Sequence, residues 1–158
     1  MRKLFGRAAI LVALAMTVAW TTGAQGDPRI GAWALNVAKS QYVPGPAPAK
    51  EVRTYAVVGN AMSVSVESVD QHGKRVTLHY TARDNSKDYP LTGLASADAI
   101  AMKRIDAWTF ETETKKNGRV IGSSRGKISK DGKILVLISK TVSPAGQSIT
   151  NLAVYDKQ

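Results

Sequence analysis

The chain has 158 residues, 44% of them hydrophobic, and its 22 Lys and Arg against 12 Asp and Glu give a formal net charge of +10. It contains no cysteine, which excludes disulfides, thiol nucleophiles and cysteine metal sites and leaves packing and β-ladders to hold the fold.

The first element is a leader. Residues 1–7 carry Arg2, Lys3 and Arg7, residues 8–20 form a 13-residue run without a charge, and residues 21–26 are small and polar. These are the three parts of a secretory signal peptide, and the apolar run is short for a membrane span. Cleavage after Ala24 or Gly26 obeys the small-residue rule. Residues 1–26 are therefore expected to be removed, and 27–158 to form a single β-barrel-like domain that is periplasmic or secreted. Without the three leader cations that domain keeps 19 basic and 12 acidic residues, a net charge of +7, and its 132 residues suffice for one core.

After the leader, alternating hydrophobicity is broken by turn residues every ten to fifteen positions. The pattern predicts strands over 30–37, 51–58, 61–70, 74–83, 87–91, 98–105, 107–116, 119–130, 133–142 and 147–156. Gly59-Asn60, Asn117-Gly118 and Asp131-Gly132 are hairpin signals, because a two-residue hairpin turn needs positive φ. Short loops demand antiparallel neighbours. An all-β antiparallel meander of about ten strands follows, and closure into a β-barrel would remove its exposed edges; a two-sheet sandwich is the alternative. Residues 40–50, with Pro44, Pro46 and Pro48, read as an extended connector.

Gly31-Ala32-Trp33 in the first strand, about ten antiparallel strands and this length together resemble the calycins, meaning the lipocalins and intracellular lipid-binding proteins. That resemblance implies that Trp33 plugs one barrel end and packs beneath a basic residue of the last strand, where this chain offers Lys157 and no arginine. It makes Gly31 and Trp33 the structural anchor. Four segments also resemble small secreted bacterial proteins of no established activity: G-x-W-x-L-N-x-A-K-S at 31–40, P-G-P-A-P at 44–48, K-D-Y-P-L-T-G at 87–93 and A-V-Y-D at 153–156.

Catalytic patterns dissolve on inspection. Residues 122–126 match G-x-S-x-G, but a nucleophile elbow needs a strand-to-helix turn and a downstream histidine, whereas His72 and His79 both lie upstream. Ser124 and Lys127 match S-x-x-K, yet an odd spacing on a strand points them to opposite faces. Residues 84–88 begin like a calcium loop, but Tyr89 and Ala95 stand where glycine and glutamate are required. No catalytic residue, metal ligand or cofactor is expected.

Hairpin geometry assigns faces. If Asn117-Gly118 is a two-residue loop, Lys116 opposes Arg119 and Phe110 opposes Arg125; if Asp131-Gly132 is another, Arg125 opposes Ile138. Trp108, Phe110 and Arg125 then share one face with Ile121, Ile134, Val136 and Ile138, which should be the interior. An arginine there needs an anionic partner from a ligand, or a bulge that turns it out to water. The same reasoning pairs Arg104 diagonally with Glu111. The leading expectation is an exported, monomeric, non-enzymatic protein binding a small anionic amphiphile through Trp108, Phe110 and Arg125. The alternative is a structural or surface-adhering envelope protein with a filled core. The surplus lysines suit edge protection or an anionic envelope surface, and nucleic acid is not an expected partner.

Overall fold

The computed structural model describes residues 26–142 and 146–158; apart from Gly26, the expected leader lies outside them. The strands are β1 Gly31–Leu35, β2 Gln41–Val43, β3 Lys50–Val58, β4 Ala61–Val69, β5 Arg75–Ala82 and β6 Asn85–Thr92. They continue as β7 Ala99–Arg104, β8 Thr109–Lys116, β9 Arg119–Ile128, β10 Ile134–Val142 and β11 Ser148–Lys157. From β3 to β11 each strand pairs antiparallel with the next. Strand β1 closes the ring, because Trp33 lies opposite Arg53 on one edge and opposite Lys157 on the other. The result is a ten-stranded lipocalin-like barrel with one extra strand, and no α-helix is present among the described residues.

Alternation explains why these residues face as they do. In β4, Met62, Val64 and Val66 are buried while the intervening Ser63, Ser65 and Glu67 are not, which is the period-two pattern of a strand between core and water. The predicted Asn117-Gly118 loop has φ of 50° and 75°, and Lys116 does oppose Arg119. A connector was expected over residues 40–50, but its first residues form β2, which continues the path of β1 along β11 and precedes the prolines.

The break between β1 and β2 is held by residues of the recognised segments. Asn36 caps a single 3-10 turn at Val37–Lys39 by accepting from the Lys39 N–H, and its Nδ2 donates to Asp156 at 2.7 Å. Ser40 Oγ donates to the Asn36 carbonyl and accepts from the Val154 N–H, so the first and last segments stitch the closing seam together. Gly93 has the same structural character. Its φ is +91°, and a Cβ there would sit 1.8 Å from the Thr77 carbonyl oxygen.

Two ladder irregularities matter for the site. Leu91 donates its N–H to Asp98, so Pro90 faces β5, where it has no N–H to give; β5 and β6 pair only at His79–Thr92 and Tyr80–Leu91. Between β8 and β9 the register slips: Lys115 opposes Val120 but Thr114 opposes Gly122, leaving Ile121 as the bulged residue. Beyond it every pairing is displaced by one, so Phe110 faces Gly126 and Glu111 faces Arg125. A Cβ on Gly126 would meet Phe110 Cζ at 2.3 Å. Gly126→Ala should therefore cost about 1–3 kcal/mol by overpacking. An unchanged urea midpoint would mean that the ring swings aside freely.

Candidate ligand-binding site

One barrel end is sealed. Trp33 is fully buried; its Nε1–H donates to the Arg29 carbonyl at 2.8 Å, and Lys157 Nζ lies 4.9 Å from the ring centroid. The basic residue packed over the plug is therefore Lys157, on the last strand. Arg29 lies beside this plug, 3% exposed, over the Phe110 ring at 5.6 Å. Its guanidinium donates to Asp84 at 2.8 and 2.6 Å and to Asp27 at 2.7 Å, and Arg104 also pairs with Asp27. Arg104 thus turns to Asp27 rather than to Glu111, and residues 84–88 contribute an ion-pair partner, Asp84.

Burial opposes ionisation of Asp27, but hydrogen bonds from Arg29 and Arg104 outweigh it and lower its pKa from 3.8 to about 2. A depressed carboxyl pKa stabilises the fold above the unfolded value, and that stability is lost as pH falls from about 4 to about 2. The shift corresponds to about 2 kcal/mol. Asp27→Asn is expected to remove this part of the acid dependence, as read from urea midpoints at pH 7, 4 and 2. An unchanged profile would contradict it.

The other end opens into a cavity of about 250 Å³ inside the barrel. Strand β3 supplies Glu51 and Arg53, β11 supplies Tyr155 and β2 supplies Tyr42. Arg53 Nε donates to Glu51 Oε1 and to the Tyr155 hydroxyl oxygen, both at 3.0 Å. The Tyr155 hydroxyl in turn donates to Glu51 Oε1 at 2.6 Å. Burial works against the Arg53 charge, yet Tyr155 and Glu51 hold its pKa well above the ordinary value; burial pushes the Tyr155 hydroxyl up, with Arg53 opposing. The Glu51 and Tyr155 contacts use the Nε edge of the guanidinium. Among the described residues, its Nη1 and Nη2 make no hydrogen bond, and Arg53 lines the cavity.

Trp108, Phe110 and Arg125 do not form this site, and none of them lines the cavity. Arg125 is turned outward by the Ile121 bulge; its side chain is 60% exposed and lies 3.7 Å from Glu111. Its predicted partner Ile138 is indeed opposite, but on the outer surface, while Leu135 and Leu137 point inward. Phe110 is buried in the sealed end against Tyr55, and Trp108 is half-buried at an outer cleft beside Arg104 and Lys130. Of the two inward arginines, Arg29 is already paired with Asp27 and Asp84, and the one that lines the cavity is Arg53. Its signal was present in the alternation of Glu51, Arg53 and Tyr55, which sets two charges on the same face as a core aromatic.

The geometry is that of a lipocalin-like β-barrel: antiparallel strands closed around an internal cavity, with a buried tryptophan at one end. Among solved structures, the chain is similar to the zebrafish ileal bile acid-binding protein in complex with cholic acid. The TM-score is 0.51 at 12% identity, covering 83% of this chain and 99% of that one. No protein-family model and no curated protein matches the sequence.

Proposed function

We propose that the protein binds a small anionic amphiphile inside the barrel, that it works outside the cytoplasm after loss of residues 1–26, and that it has no catalytic role. The observation that carries this reading is the free Nη edge of Arg53 at a cavity whose neighbouring walls are partly apolar. A guanidinium edge matches a carboxylate or phosphate in two parallel hydrogen bonds. The fold of a protein whose solved complex holds cholic acid supports small-ligand binding by such a barrel. A filled-core envelope protein is less favoured, because it has no use for an internal space of about 250 Å³.

Calorimetric titration with octanoate, a small carboxylate with an alkyl tail, tests the reading. Saturable binding is expected, weakened by Arg53→Met by about 1.5–3 kcal/mol, the size of a hydrogen bond to a charged group. Arg125→Ala should leave it unchanged. Failure of small carboxylates and phosphates to bind, or equal binding by Arg53→Met, would contradict the reading.

A further inference from the structure

The cavity has two chemically different sides. On β5 and β7 it is lined by Leu78, Tyr80 and Ile100. On β8 to β11 the rung deeper in the barrel is apolar, with Leu137 opposite Ala153, and the rung above it is a row of small polar side chains in direct cross-strand register. Thr112 opposes Ser124, Ser124 opposes Ser139, and Ser139 opposes Asn151, so four adjacent strands each place one polar group in the same rung. The next rung toward the mouth holds Thr114 and Thr141 on either side of Gly122, which pairs with both. A Cβ on Gly122 would come within 2.8 Å of Thr141 Cγ2, so the glycine keeps the space between the two threonines clear.

Part of this wall is internally satisfied. Thr112 Oγ1 and Ser124 Oγ share a hydrogen bond of 2.6 Å, and Asn151 Oδ1 accepts from the Val43 N–H. The hydroxyls of Thr114, Ser139 and Thr141 have no protein partner among the described residues. An alkyl chain lying against them would desolvate three hydroxyls without replacing their hydrogen bonds, at a cost. A ligand that presents its own hydroxyls to this side recovers those bonds and can rest an apolar face on Leu78 and Ile100. Size narrows the choice further. At about 250 Å³ the cavity lies below the roughly 300–1,000 Å³ of pockets for drug-sized ligands, which favours a compact one.

Resting on the reading of Arg53 as the anion anchor, we infer that the cavity takes a compact, hydroxyl-bearing carboxylate, of the size and chemistry of a monosaccharide acid, rather than an alkyl carboxylate. The carboxylate meets the Nη edge of Arg53, and the hydroxyls meet Ser139, Thr141 and Thr114. The polar side then sets specificity, and Arg53 sets the requirement for charge.

Calorimetry of the purified protein with glucuronate, its methyl ester and octanoate tests this. Glucuronate should bind at least tenfold tighter than octanoate, and the methyl ester should lose most of that affinity. Thr141→Val, close to isosteric and at the mouth, should weaken glucuronate about fivefold while leaving octanoate equal or tighter, and Ser139→Ala should act in the same direction, so the test stands if one of the two variants is impaired in folding. Octanoate binding tighter than glucuronate, with both indifferent to Thr141→Val, would overturn the inference and leave Arg53 as the anchor of an alkyl ligand. Failure of both carboxylates to bind would overturn the anchor itself and leave a cavity that holds water only.

Discussion

Arg29→Met is expected to destabilise the protein by about 3–5 kcal/mol, the usual consequence of deleting one partner from a buried ion pair. The substitution keeps the long apolar stem over Phe110 but deletes the charge that two aspartates share. Asp84 would lose the hydrogen bonds of 2.8 and 2.6 Å that hold it, while Asp27 would keep Arg104. The cost should therefore come mainly from Asp84, and Asp84→Asn in the Arg29→Met background should recover part of it. Urea denaturation reads both. A loss below about 1 kcal/mol would show that the carboxylates rehydrate freely and that the cluster is an ordinary surface network.

Trp33→Ala should cost a comparable 3–5 kcal/mol. The indole is fully buried and closes the barrel where β1 meets β3 and β11, so truncation leaves a void at the seam. It also strands the Arg29 carbonyl and removes the ring beneath Lys157. Trp33→Phe should retain most of the packing and lose chiefly the hydrogen bond, a change of about 1 kcal/mol. If the alanine variant unfolds at the parent's urea midpoint, the Gly-x-Trp segment is incidental to closure.

The strands were legible because their signals are local. Period-two alternation marks β4, and Asn117-Gly118 marks the turn from β8 to β9, so element type and hairpin partners follow from neighbouring residues alone. Strand β2 was not legible: three residues ahead of a proline-rich stretch carry no alternation to detect, and they pair with the far end of the chain. The site misreading has one physical cause. The Ile121 bulge leaves no mark in a sequence of β-formers, and a one-residue slip exchanges the two faces of every strand beyond it. That slip carried Arg125 from the supposed interior to the surface. The sealed end was half legible: Trp33 stood out, but Arg29 with Asp27 and Asp84 depends on a contact 55 residues apart in the chain. Arg53 was within reach, since Glu51, Arg53 and Tyr55 alternate onto the face that must point inward if Tyr55 does.

The central claim is that the cation meeting the ligand is Arg53 and not Arg125. Nitrogen-15 spectra that resolve individual guanidinium groups, recorded while glucuronate or octanoate is titrated in, test it most directly. A saturable shift of the Arg53 Nη signals, with Arg125 following only bulk ionic strength, is the predicted result. An Arg53 resonance that stays fixed while bound ligand is detected by calorimetry would contradict the account.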